Sequence, residues 1–195
     1  NRRQAREGPL GERELTGQYT RKNRVMNDPL TPDFNDPLGV LRAEHDRILA
    51  HCEILENLVP HIAENGVDDE ARSAISSVVH YFTTSAVHHH QDKEQNLFPI
   101  LNRQSLKLAD IIYRLKREHD ELTGLWDRIL VDLKTPATLN ENTAFATQVE
   151  KFCSGYRQHI AYEARELLAI ARHILSQRQV QELGDAMARR RGVKR

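Results

Sequence analysis

The sequence predicts an all-α fold: an up-down-up-down four-helix bundle with a short C-terminal fifth helix and an extended N-terminal arm. Three observations predict it. Four long stretches repeat apolar residues at alternating spacings of four and three, the signature of one packed helical face. The breaks between them are short and carry Pro, Gly, Asn or Thr, which favours antiparallel neighbours. Leu, Ile and Val supply most of the apolar content, Gly is sparse at 9 of 195 residues, and few runs favour strands.

Residues 1–36 read as an arm or linker. They hold Gly8, Pro9, Gly11, Gly17, Pro29 and Pro32 with mixed charges and no sustained apolar period. Asp36-Pro37 then starts the bundle, with Asp as N-cap and Pro at the first helical position. In the first helix Leu41, His45, Ile48, Cys52, Leu55 and Val59 share a face; Pro60 kinks or ends it, and Asn65-Gly66 stops it. The second runs from about Asp68 to Phe98 through Ile75, Val79, Phe82, Ala86, His90, Glu94 and Leu97. The third is the most regular, from Leu108 through Ile112, Leu115, His119, Leu122, Trp126 and Ile129 to Leu133, closed by Thr135-Pro136. The fourth carries Phe145, Val149, Phe152, Tyr156, His159, Glu163 and Leu167. A fifth helix follows Ser176 and extends the domain, 37–191, to about Arg191; residues 192–195 form a basic tail, with Arg189–Arg195 expected to fray.

Charge and length narrow the function. The 28 basic and 28 acidic residues cancel, which removes the usual argument for nucleic acid or an anionic membrane as partner. No apolar run approaches the roughly 20 residues of a membrane span. Two cysteines, Cys52 and Cys153, are too few for a disulfide framework, so a reducing cytoplasm is the expected setting.

The chain repeats itself. Leu41, Glu44, His45 and Asp46 form an L-x-x-E-H-D string that returns as Leu115, Glu118, His119 and Asp120. A His-x-x-x-Glu pair follows each copy, His90 with Glu94 and His159 with Glu163. His45, His90, Glu94, His119, His159 and Glu163 all occupy seam positions where Leu, Ile or Phe would otherwise stand. An unpaired carboxylate in a bundle core costs several kcal/mol or shifts until neutral, and a metal ion removes that cost. Residues four apart on a helix share a face, roughly 6 Å apart along the axis, so each pair converges on one point. Four imidazoles and two bridging carboxylates make enough donors for two metals, each five-coordinate with an oxo or hydroxo bridge. The mixed N/O set suits iron or manganese, and zinc is less favoured.

On these residues the chain resembles the hemerythrin-like (HHE cation-binding) domains, over about residues 37–175. The L-x-x-E-H-D openings, the string H-H-H-Q-D-K-E-Q-N-L-F-P and the string Q-H-I-A-Y-E carry the resemblance. It implies a four-helix bundle with a non-haem di-iron centre held by those six residues, with Glu94 and Glu163 as bridges. Thr123 stands where oxygen-carrying hemerythrins have a further His, and Glu163 follows His159 by four residues where they have an Asp at five. The pattern is closer to iron-centre repair proteins and to iron- and oxygen-sensing hemerythrin-like domains. The repair proteins usually carry a cysteine-bearing N-terminal domain, and the arm here has no cysteine.

Oxygen, nitric oxide or hydrogen peroxide is the expected ligand, in stress response or sensing. The alternatives are an iron-sensing module acting through the arm on a protein partner, or a di-iron enzyme of peroxide or nitric oxide turnover or iron-centre repair. Tyr156, three before His159 on the same face, is the candidate catalytic residue, against a core aromatic. His89 reads as a supporting group or an alternative ligand. His51, His61 and His80 read as surface or flank residues, and His173 as core filling or a helix end. Cys52 and Cys153 read as buried free thiols rather than a redox pair. Glu44, Asp46, Glu118 and Asp120 read as solvated flanks, one of which orients a ligand imidazole.

Overall fold

A computed structural model of the chain describes residues 33–141 and 143–194. Most of the expected arm, residues 1–32, and the partner surface expected of it lie outside the described residues. The domain starts a few residues earlier than the sequence suggests, because Phe34 is buried in its core.

Helix α1 spans Pro37–Asn65. The Asp36 carboxylate accepts a hydrogen bond from the Gly39 amide at 3.0 Å, as an N-cap should. Pro60 does not end it; the helix runs through to Gly66, whose φ of 72° suits a residue without Cβ. The expected second helix is interrupted. Helix α2 spans Asp69–Thr83, and α3 restarts at Ser85–Gln91. The hydroxyls of Thr83 and Thr84 donate to the Val79 and His80 carbonyls, both at 2.6 Å, and such back-bonding bends helices. A π turn over Asp92–Leu97 continues α3 into the short α4, Phe98–Leu101. Helix α5, Leu106–Lys134, is capped by Ser105, and a 3-10 turn, Pro136–Glu141, follows it. Helix α6, Thr143–Glu163, passes through a second π turn, Ala164–Leu168, into α7, Ala169–Ile174. Helix α8, Gln177–Arg190, opens on a capping box formed by Ser176 and Gln179.

Helices α1, α2, α5 and α6 close a ring, each packing on two neighbours. Among the described residues the architecture is all-helical, as the sequence predicts. A Cβ on Gly155 would stand 3.1 Å from Leu122 Cδ2, so glycine there lets α6 approach α5 closely. The core falls into two apolar clusters. One holds Ile48, Cys52, Phe82, Leu122, Trp126, Phe152 and Tyr156; the other holds Leu41, Leu97, Phe98, Leu115, Leu167 and Met187. Full burial of each such Leu, Ile or Phe contributes about 1.5–3 kcal/mol. Between the clusters lies a polar layer, because the residues between Leu41 and Ile48, and between Leu115 and Leu122, include His45 and His119.

The C-terminal end departs from expectation. Arg190 and Arg191 are not a frayed tail: both pair with the fully buried Asp92, Arg191 at 2.8 Å from Oδ2. Arg190 also donates to Gln95 and Asn96, so α8 is tied to the first π turn. Among the described residues no helix is long and apolar enough to cross a membrane.

Candidate metal centre

The polar layer is assembled from all four rods. Helix α1 supplies His45, α5 supplies Glu118 and His119, and α6 supplies His159 and Glu163. Helix α3 and its π turn supply His89, His90, Lys93 and Glu94. Both inward pairs sit at or just before a π turn, a feature that often marks functional sites because one extra residue re-aims the helix face.

Glu163, fully buried, is the hub. Its Oε2 lies 2.6 Å from Lys93 Nζ, 3.2 Å from His159 Nε2 and 3.3 Å from His45 Nε2. His119 Nε2 faces His159 Nε2 at 3.2 Å. His45, His89 and Glu163 offer ligand atoms that all lie within 4.8 Å of one another. Each of these three carries a buried atom without a hydrogen-bond partner: His45 Nε2, His89 Nδ1 and Glu163 Oε1. The approach of His45 to Oε2 is within ion-pair distance but poorly aligned for a hydrogen bond, so both descriptions hold.

Two carboxylates support the imidazoles from behind. Glu118 Oε2 lies 2.8 Å from His159 Nδ1, and Glu94 Oε1 lies 2.5 Å from His119 Nδ1. A carboxylate there accepts a hydrogen bond from Nδ1–H, which keeps the proton on Nδ1 and leaves the Nε2 lone pair pointing inward. Glu118 is thus the flank acid that orients an imidazole. Its repeat partner Glu44 is buried instead against Arg47 and the Tyr81 hydroxyl.

Burial holds His89, His90 and His119 well below the ordinary imidazole range, so they are neutral, the form that ligates. Burial also pushes Glu163 up, but the Lys93 ammonium, with the His159 and His45 imidazoles beside it, outweighs that and holds the carboxylate well below its usual range. For Lys93 burial lowers the ammonium and Glu163 opposes that. The hydrogen bond from His159 lowers Glu118.

The structure gathers His45, His119, His159 and Glu163 as the sequence suggests, but turns His90 and Glu94 differently. Adjacent helical residues are rotated by about 100°. Here His89 and Lys93 take the inward face, and His90 and Glu94 turn toward α5. The His90 ring stacks on His119 at 4.1 Å, and Glu94 holds His119 from behind with its own side chain 39% exposed. Sequence reasoning missed Lys93. A Lys between Asp and Glu reads as a solvated charge, yet its side chain is 0% exposed. The available signal was its distance to Leu97, the same four residues that separate Glu163 from Leu167.

The remaining candidates fall into place around this layer. Tyr156 is buried among Phe82 and Phe152, with its hydroxyl 3.4 Å from His90 Nε2. Thr123 is exposed. Cys52 and Cys153 are free and buried, with Cys153 Sγ 3.6 Å from the Cys52 carbonyl. His51 stacks on Tyr81, His61 pairs with Asp68 at 2.9 Å, and His80 is exposed. His173 is exposed in the last turn of α7, a helix end rather than core filling.

The donors fit a divalent cation. Imidazole nitrogens and a carboxylate oxygen converge in a buried layer, and three of their buried atoms have no hydrogen-bond partner. Leaving such atoms unpaired costs about 1–3 kcal/mol each, which a bound cation would relieve. The chain is 28% identical over 161 residues to an uncharacterized protein of Haemophilus influenzae, covering 83% of this chain and 93% of the relative. The family model described as the hemerythrin HHE cation binding domain matches residues 36–171. With the helical ring, the inward imidazoles and this match in hand, the chain belongs to the hemerythrin HHE cation-binding family.

Proposed function

We propose that this protein binds iron in the polar layer and uses it to bind or react with a small ligand of the size of oxygen, nitric oxide or hydrogen peroxide. The observation that carries the reading is the set of three buried, unpartnered atoms on His45, His89 and Glu163. His119 and His159 lie beside this set from the facing helices. Imidazole nitrogens with a carboxylate suit iron or manganese, and no cysteine belongs to the cluster. When bound, the metal supplies an electrophilic, redox-active centre.

The chain's own residues set the surroundings. Glu118 and Glu94 orient the His159 and His119 rings, and apolar residues on both sides exclude bulk water. Glu94, half-exposed, marks the side from which a small molecule approaches. Tyr156 contributes a hydroxyl beside His90 rather than beside Glu163, a place suited to fixing that ring. The two free thiols favour a cytoplasmic setting. The pair of bridged irons expected from sequence requires a second inward carboxylate, and Glu94 is engaged with His119.

Metal analysis of the purified and Fe(II)-reconstituted protein, with optical spectra taken anaerobically and then after oxygen, nitric oxide or peroxide, tests the reading. We expect bound iron, a spectral response to at least one ligand, and sharp loss of iron in Glu163→Ala. A wild-type protein that takes up neither Fe(II) nor Mn(II) would sink the proposal. A second, regulatory reading has no observation among the described residues to favour it.

A further inference from the structure

The two halves of the chain correspond more closely than their His-x-x-x-Glu pairs suggest. The buried pairs Leu97-Phe98 and Leu167-Leu168 lie where two π turns end: Leu97 is the last residue of Asp92–Leu97 and Leu168 the last of Ala164–Leu168. Counting back from them, His89 stands opposite His159 and Lys93 stands opposite Glu163. The structure agrees with that alignment rather than with the one on Glu94: His89 faces His45 and Glu163, and Lys93 reaches the layer from the opposite side to Glu163. The position that would hold a second bridging carboxylate therefore holds an ammonium.

We propose that Lys93 stands in for one of two metal ions: the site takes a single divalent ion at His45, His89 and Glu163, and the Lys93 ammonium fills the neighbouring position beside Glu163 and His159. The inference rests on the metal-binding reading above and fixes its stoichiometry. The two oxygens of Glu163 divide the work. Oε2 is occupied by Lys93 at 2.6 Å and approached by His159 at 3.2 Å and, without a hydrogen bond, by His45 at 3.3 Å. Oε1 is buried with no partner, as are His45 Nε2 and His89 Nδ1, so the open donors belong to the three residues of one cluster. On the other side, His159 Nε2 lies 3.3 Å from Lys93 Nζ and 3.2 Å from His119 Nε2. With their Nδ1 protons held by Glu118 and Glu94, these two Nε2 atoms present facing lone pairs that call for a positive group, and the ammonium is it.

Charge bookkeeping points the same way. One divalent ion with Glu163 and Lys93 leaves the same net charge as two divalent ions with two bridging carboxylates. Adding a second ion while Lys93 stays would place three cationic centres, two ions and the ammonium, around the single inward carboxylate of Glu163 in a low-dielectric layer, a strongly repulsive arrangement.

The test is metal stoichiometry of the full chain, wild type and Lys93→Glu, after anaerobic loading with excess Fe(II) or Mn(II) and removal of unbound ion. Mn(II) electron paramagnetic resonance accompanies it, because it separates an isolated ion from a spin-coupled pair and needs no variant. We expect one ion per wild-type chain with an isolated Mn(II) signal, and two per Lys93→Glu chain with a coupled signal. Two ions or a coupled signal in the wild type would overturn the proposal and leave metal binding standing. No ion in the wild type would overturn the metal-binding reading itself. A folded Lys93→Glu chain, checked by circular dichroism, that still holds one ion would show that Lys93 is not what excludes the second.

Discussion

The Lys93–Glu163 pair gives the sharpest stability prediction. Both side chains are 0% exposed and their charged atoms are 2.6 Å apart. Such a pair adds little against an apolar replacement of both members, because desolvation offsets attraction, but removing one partner strands the other charge. In metal-free protein, Lys93→Met should therefore cost about 3–5 kcal/mol. For a chain of this size that is a fall in Tm of roughly 6–20 °C, at about 2–4 °C per kcal/mol. Glu163→Leu should also destabilise, since it strands the ammonium. The double replacement should lie far closer to wild type than the sum of the singles, a coupling of at least about 2 kcal/mol. Thermal and urea unfolding of the four chelator-treated proteins measures this. A Lys93→Met loss under about 1 kcal/mol, or singles that simply add, would refute the reasoning.

Two further outcomes follow from the geometry. Glu118→Gln keeps its side-chain shape but loses the carboxylate that holds His159 Nδ1 at 2.8 Å, a charge-assisted hydrogen bond, so urea unfolding should show a loss of about 1.5–3 kcal/mol while the helical signal is unchanged. Phe152→Ala removes a fully buried ring packed within 5.0–5.6 Å of the Phe82, Trp126 and Tyr156 rings, and should cost about 3–5 kcal/mol in urea unfolding.

Much of this was legible in the residues. The alternating periods of α1 and α5 locate both helices, and their seam histidines, His45 and His119, face inward because a helix holds its register over many turns. The register of His89 and His90 was not legible. Adjacent residues differ by about 100°, so a bend at Thr84 and a π turn from Asp92 are enough to exchange which histidine faces the core. A period count assumes a regular helix and fails where the helix is not. Lys93 and Asp92 were missed for a related reason: charged residues in a polar string default to solvent, and only tertiary partners, Glu163 for one and the arginines at the end of α8 for the other, permit their burial.

The polar layer between the two apolar clusters also bears on how the domain breathes. Each cluster is cohesive in itself, and the four rods cross from one to the other through a layer with little apolar contact. Without a metal, the halves should act as two cooperative units coupled through that layer, and native-state amide exchange is expected to divide by half rather than by helix. A metal held at His45, His89 and Glu163 would join them, because those residues come from α1, α3 and α6 at once. Such an ion would be a folding ligand as well as a functional one, and its removal is expected to loosen the bundle at its waist while leaving both ends packed.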